Sequence, residues 1–200
     1  MDKETAWDKL LQINTAGRDD ARADEYRYPY EPTPYAVLER LRDSGLIGEE
    51  DVILDYGCGK GRVDFFLSHE TGARTIGIEY DEDIYGDAVE NRKMALHGEK
   101  TEFFLDRAEN YKVPPTVTGC YFFNPFSVEL LHTVMARVIE SYYENPREIF
   151  LFFYFPSDEY VSYLMTVEEL DFYDEIGCDD LFPDEPQRER ILIFCLPQFE

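Results

Sequence analysis

Between an apolar run and an amphipathic segment the chain reads Val52-Ile53-Leu54-Asp55-Tyr56-Gly57-Cys58-Gly59-Lys60-Gly61-Arg62. Three glycines at alternate positions, directly behind an acid, leave few folds open. The apolar run predicts a buried strand over residues 51–56, and the segment beyond the glycines predicts a helix over 60–70. Glycine is needed where the backbone takes positive φ or must approach a ligand closely. A helix opening at such a turn aims free N–H groups at a polar or negatively charged ligand. The element therefore has the build of a nucleotide-type binding loop.

The spacing narrows the choice. A dinucleotide fingerprint, G-x-G-x-x-G, requires glycine where Arg62 stands, and Gly61 falls one residue early. The phosphate-cradling run G-x-x-x-x-G-K-[ST] does not occur in the sequence. What stands is Asp55-x-Gly57-x-Gly59-x-Gly61. This resembles the first motif of the class I S-adenosylmethionine-dependent methyltransferases. The resemblance implies that the loop, with Asp55, Gly57, Cys58, Gly59 and Gly61, wraps the amino-acid part of S-adenosyl-L-methionine.

Further stations follow in order. Arg74-Thr75-Ile76-Gly77-Ile78-Glu79 is a short apolar run ending in an acid, with Tyr80 next. Glu79 lies about 20 residues past the glycine loop, where mononucleotide-binding βαβ units carry an acid for the ribose hydroxyls. The resemblance gives Glu79 that role and makes Tyr80 the ring that packs on adenine. Phe103-Phe104-Leu105-Asp106-Arg107 ends a third apolar run, and the resemblance sets Asp106, with Arg107, at the adenine amino group. After a fourth run stands Asn124-Pro125-Phe126. Ligands in open α/β sheets bind beyond the carboxyl ends of strands at the topological switch point, so Asn124 is expected beside the cofactor's methyl group. The run resembles the [Asn/Asp]-Pro-Pro-[Tyr/Phe] motif of methyltransferases acting on amide or amine nitrogen, without its second proline. It is also similar to the Asn-x-Phe element of a class of histone-lysine methyltransferases. By that likeness Asn124 and the Pro125 carbonyl accept hydrogen bonds from the target nitrogen, and Phe126 walls the substrate.

The remaining pattern agrees. Strands are predicted over 74–79, 101–105, 119–123 and 149–155, with helices over 81–97, 128–143 and 158–168. Ser127 is placed to cap the second of these helices. A final pair of strands, near 171–176 and 190–196, predicts an antiparallel hairpin. The expected fold is α/β, a doubly wound, mostly parallel seven-stranded sheet with that hairpin at its C-terminal end. Residues 46–200 are read as the cofactor-binding domain and 1–45 as a cap. In the cap, Ala6 to Ile13 and Ala36 to Leu41 are predicted helical. The proline-stiffened run around Tyr28, Tyr30, Thr33 and Tyr35 is a candidate lid over the substrate.

Composition bounds the partners. The formal net charge is −24, from 43 acids against 19 bases. Phosphate binding relies on clustered Lys and Arg, so a small molecule or a protein is the expected substrate and nucleic acid is not. The four cysteines form no close pair, and the three histidines supply no metal-ligand spacing. Free thiols, no signal peptide and no apolar run long enough to span a bilayer predict a cytoplasmic chain without membrane or metal. Two rivals are a non-catalytic domain that keeps the fold and a nicotinamide-dependent oxidoreductase. The glycine spacing disfavours the second.

Overall fold

In the computed structural model, residues 2–17, 30–182 and 188–198 are described. The first strand, β1 (Val52–Tyr56), lies at the centre of a seven-stranded sheet. On one side it pairs in parallel with β2 (Arg74–Glu79), and β2 pairs with β3 (Thr101–Leu105). On the other side it pairs in parallel with β4 (Gly119–Phe122), followed by β5 (Ile149–Tyr154). The hairpin strands β6 (Asp171–Gly177) and β7 (Arg190–Leu196) close the sheet antiparallel, giving the order β3-β2-β1-β4-β5-β7-β6. The chain reverses direction across the sheet between β1 and β4, where a switch point was expected.

Strand parity sorts the core into two layers, because successive side chains point to opposite faces. Ile53, Tyr121, Phe152, Tyr154 and Ile193 face one cluster with Leu11, Tyr35, Leu38, Phe65 and Phe66. These last residues come from α1 (Lys3–Leu11), α2 (Tyr35–Asp43) and α3 (Arg62–Glu70). Leu54, Tyr56, Phe122, Phe153, Leu192 and Phe194 face the other cluster, with Leu131, Met135 and Val138 from α5 (Val128–Glu144) and Leu164 from α6 (Asp158–Leu164). Three register neighbours stack on this second face. Tyr56 lies 4.9 Å from Phe122 and Phe122 lies 4.5 Å from Phe153, with nearly parallel rings. Such contacts hold the ends of β1, β4 and β5 at fixed relative positions.

Two helices end earlier than their periodicity predicts. α4 (Glu82–Met94) stops before residue 97, and α6 ends at Leu164 rather than 168. Asp81 caps α4, accepting from the Asp83 and Ile84 amides. Ser127 occupies the N-cap position of α5, but its hydroxyl makes no capping bond. Between β3 and β4 the chain forms turns in place of a helix, where Pro114 and Pro115 break the pattern.

The N-terminal segment joins the first core cluster through a buried guanidinium. Arg62, the first residue of α3, is 3% exposed. Its Nε donates to the Thr15 hydroxyl at 2.7 Å, and Nη1 donates to Glu4 and to the Thr33 carbonyl. The guanidinium carbon sits 4.5 Å over the Tyr35 ring. Asp8 completes the cluster, accepting from the Tyr35 hydroxyl at 2.6 Å and from both Thr15 donors at 2.8 Å. Removing one member of a buried, hydrogen-bonded charge cluster leaves the other charges uncompensated. Arg62→Ala is therefore expected to destabilise the fold by roughly 3–5 kcal/mol, read from urea denaturation midpoints at constant m-value.

Candidate functional site

The carboxyl ends of β1, β2, β4 and β5 open onto one cavity of about 360 Å³. From β1 comes Gly57. From β2 come Ile78, Glu79, Tyr80 and Asp81. From the end of β3 come Asp106, Ala108 and Glu109, and from β4 Phe123, Asn124, Pro125 and Phe126. Tyr154 and Phe155 close the β5 side, with Phe182, Arg188 and Glu189 from the hairpin and Tyr30, Glu31 and Pro34 from the N-terminal segment. The start of β7 reaches this edge because an antiparallel strand begins where its parallel neighbours end. The Phe155 amide donates to the Arg190 carbonyl at 3.0 Å across that junction.

The glycine loop is fixed from below and above. The Gly57 and Cys58 amides donate to the Ile78 carbonyl at 2.9 and 3.1 Å. Gly57 has φ +76°, and a Cβ there would lie 2.8 Å from Pro125 Cβ, so the loop after β1 touches the turn after β4. Gly59 has φ +57°, and a Cβ there would enter the Tyr30 ring at 2.2 Å. Neither position admits a side chain without displacing its neighbour.

Glu79 is 5% exposed and shares its carboxylate among three amides. Oε1 accepts from Tyr80 and Asp81 at 2.8 and 2.9 Å, and Oε2 accepts from Gly59 at 3.1 Å. Burial nevertheless raises its pKa, with the three amide donors opposing the shift. Each oxygen retains acceptor capacity toward the cavity. At the end of β4, Asn124 has φ +42°, and its buried Oδ1 has no hydrogen-bond partner. Phe155, at the end of β5, has φ +51°. Two non-glycine residues in this sparsely populated region, on neighbouring strand ends, store strain at the cavity wall. The turn after Asn124 is anchored by buried Tyr160, whose hydroxyl donates to the Phe126 carbonyl at 2.6 Å.

The expected site residues divide into those at the cavity and those beneath it. Gly57, Glu79, Tyr80, Asp106, Asn124, Pro125, Phe126 and Tyr30 line it. Asp55, Cys58, Gly59 and Gly61 do not. Cys58 packs against Gly77, Gly59 lies under Tyr30, and Gly61 caps α3 against Phe103 and Phe65. Arg107 is exposed outside the cavity, and its amide donates to Asp106 Oδ1. Of the lid candidates, Thr33 is buried against the Tyr121 hydroxyl at 3.0 Å and Tyr35 is fully buried on Asp8, so neither covers the cavity. Tyr28 lies outside the described residues. Tyr154, Phe155, Arg188 and Glu189 are additions. The strand-end rule applied to the fifth strand reaches the first two, and the antiparallel sense of β7 brings the others. Among the described residues no group of three or more metal-ligating side chains converges.

Asp55 points away from the cavity, toward α3, where Asp64 faces it. Both are buried, and Asp55 Oδ2 and both Asp64 oxygens have no donor. Two carboxylates can only accept, but one proton between them turns one into a donor. Burial pushes the Asp55 pKa up to about 7 against an ordinary 3.8, and the Glu79 charge adds to the rise. Burial and the Asp55 charge raise Asp64 as well. Both groups are held toward their protonated forms, and a proton on either supplies the donor that the pair otherwise lacks.

No family model matches the chain. A stretch of 64 residues is 28% identical to a protein-lysine N-methyltransferase of Saccharolobus islandicus (strain REY15A), covering 32% of this chain and 40% of that protein. Another, of 55 residues, is 44% identical to a histone-lysine N-methyltransferase specific for lysine-79 of histone H3 from Dictyostelium discoideum, covering 28% of this chain and 3% of that protein. Each match thus spans less than half of the relative's own length. Solved structures agree over most of the chain. An RNA methyltransferase from Salinibacter ruber in complex with S-adenosyl-L-homocysteine superposes with a TM-score of 0.58 at 19% identity, over 85% of this chain and 96% of that one. A methyltransferase from Thiobacillus denitrificans, also with S-adenosyl-L-homocysteine, gives a TM-score of 0.57 at 13% identity, over 84% and 93%. A putative rRNA-methylase from Clostridium thermocellum gives 0.58 at 14%, over 85% and 100%. The chain has the α/β fold of the class I S-adenosylmethionine-dependent methyltransferases. The expectation that nucleic acid is not a substrate finds no support here, because RNA methyltransferases share the fold.

The acid pair sets a pH dependence. Below about pH 3.8 Asp55 is protonated in both folded and unfolded chains. Between about 3.8 and 7 the unfolded chain ionises while the folded pair keeps its proton. The contribution to stability is thus fully present below 3.8 and is lost as pH rises through about 7. Asp64→Asn supplies a neutral amide donor to Asp55 and is expected to flatten this slope, as measured by urea denaturation across pH 5–8.

Proposed function

We propose that the chain is an S-adenosylmethionine-dependent methyltransferase acting on an amine nitrogen, with a protein lysine side chain as the favoured acceptor. The observation that carries the reading is the buried, unpartnered Oδ1 of Asn124, held in strained backbone at the switch-point cavity. An acceptor atom left without a donor there suits an N–H group brought by a ligand. The similarity to two lysine methyltransferases favours an amine over other acceptors.

The residues fit the cofactor. Glu79 offers carboxylate oxygens for ribose hydroxyls, Asp106 an acceptor for the adenine amino group, and Tyr80 a ring for adenine. Gly57 brings its backbone to the cavity wall, where it packs directly on Pro125. When bound, the cofactor supplies an activated methyl electrophile. The protein's part is placement. Asn124 Oδ1 and the Pro125 carbonyl orient a neutral amine by accepting its N–H bonds, Phe126 walls it, and the aromatic side chains around them limit water. Among the described residues that line the cavity are the acids Glu31, Glu79, Asp81, Asp106, Glu109 and Glu189 and the base Arg188. The formal net charge of −24 favours a basic protein segment over a phosphate backbone.

Calorimetric titration with S-adenosyl-L-homocysteine tests the cofactor. Glu79→Ala removes charged hydrogen bonds of about 1.5–3 kcal/mol and is expected to weaken binding by one to two decades. A shift below about twofold in the folded variant would make Glu79 a purely structural acid. Transfer of labelled methyl from S-adenosyl-L-methionine, offered lysine-rich protein and RNA in parallel, tests the acceptor. Asn124→Ala is expected to lower transfer to protein about 100-fold while shifting cofactor affinity much less. Label appearing in RNA alone would overturn the lysine reading, and cofactor binding with no transfer to either would favour a non-catalytic domain.

A further inference from the structure

The β5 end of the cavity contains a cation already in place. Phe155, with φ +51°, turns its carbonyl and ring out of the strand path. The guanidinium carbon of Arg188 lies 4.1 Å from the centroid of that ring. Its Nη2 donates to the Phe155 carbonyl at 3.1 Å, and Nε donates to the Pro156 carbonyl at 3.4 Å. Beside it, the Tyr154 hydroxyl donates to Glu189 Oε2 at 2.7 Å, which fixes a carboxylate in the same wall. An aromatic face, two outward carbonyls and a positioned carboxylate are the parts of a receptor for an ammonium or guanidinium group. None of them needs Arg188 in particular. The protein's own side chain supplies the cation that the site is built to hold.

We infer that this is a second cation subsite, filled in the resting protein by Arg188, which takes a Lys or Arg side chain adjacent to the methyl acceptor in a basic protein segment. The inference rests on the reading of the cavity as an acceptor site for such a segment. Asn124 and Phe155 follow neighbouring strands, β4 and β5, whose backbones lie about 4.8 Å apart. Two side chains of one extended peptide can therefore reach the two positions together. Arg188 competes with the incoming cation for the Phe155 ring. It lowers the affinity for isolated cations and favours a segment that brings a second contact at Asn124.

The test uses the full chain without cofactor, so that failure of methyl transfer does not touch it, and S-adenosyl-L-homocysteine binding is measured separately on the same preparations. The probe is the blocked tripeptide acetyl-Gly-Lys-Gly-amide, with acetyl-Gly-Asp-Gly-amide as the anionic counterpart, titrated by calorimetry. Arg188→Gln keeps a hydrogen-bonding stem for the two carbonyls but vacates the ring. It is expected to bind the lysine probe about tenfold tighter than the natural chain, the size of one partly desolvated cation–π contact. Adding Phe155→Leu to Arg188→Gln is expected to abolish the gain, and Arg188→Lys, which refills the subsite, is expected to show none. Thermal melting confirms that each variant is folded. Equal or weaker binding of the lysine probe to folded Arg188→Gln overturns the inference. So does binding of the aspartate probe to the natural chain that disappears in Arg188→Gln, because Arg188 would then be an anion receptor.

Discussion

The buried guanidinium of Arg62 ties together parts of the chain that no strand pairing connects. It stands directly after the glycine loop and opens α3, and it reaches Glu4, Thr15 and Thr33 of the N-terminal segment. A guanidinium suits this position because its planar fork serves several acceptors at once and its flat face packs on the Tyr35 ring. The consequence extends to the cavity. Thr15, held by Arg62 and Asp8, presents its carbonyl to the Tyr30 hydroxyl at 2.7 Å, and the Tyr30 ring lies over Gly59. Burial of that tyrosine raises its pKa, so its hydroxyl stays a donor across the physiological range. The roof of the glycine loop is thus set by a charge cluster on the far side of that loop.

The working edge is shaped by a second constraint, the stack of Tyr56, Phe122 and Phe153. These are register partners on β1, β4 and β5, so stacking them fixes where the three strands end. The next residues then leave the sheet from fixed points. Asn124 and Phe155 both do so with positive φ, at a cost of roughly 1–3 kcal/mol each that the packed ladder can sustain. Tyr160 and Arg190 hold the turns that follow through single hydrogen bonds to Phe126 and Phe155. Rigid strands and strained turns divide the labour. The first supply position, and the second aim polar atoms where an extended chain would not.

Much of this was legible in the residue order. The sheet, its hairpin and the switch point followed from strand count and alternation. Glu79 and Asp106 reached the cavity because both stand at the carboxyl ends of parallel strands, the side on which the cavity opens. Asp55 did not, and its parity explains why. It shares a face with Ile53, so it points into the α3 layer, where Asp64 in the first turn of the helix meets it. The lid was read less well, because Pro29, Pro32 and Pro34 remove any periodicity from which facing could be inferred. Tyr30 met the cavity while Thr33 and Tyr35 turned inward to Tyr121 and Asp8. Arg188 and Glu189 carried no local signal. They line the cavity because β7 runs opposite to β5, and strand direction within the sheet is a tertiary fact.

Electrostatics gives the cavity its preference. The chain's formal net charge of −24 sets a negative field around the cavity. Burial raises the Glu79 pKa, Asp81 adds to the rise, and three amide donors oppose it. A cation entering this field is favoured, while an anion is not. The proposed cofactor brings a sulfonium and an ammonium group, and a basic peptide brings more positive charge. Each is favoured by acids already present, and Arg188 shows the same preference satisfied from within the chain. Beneath the site, burial holds Asp55 and Asp64 toward their protonated forms, and the Glu79 charge adds to the rise at Asp55.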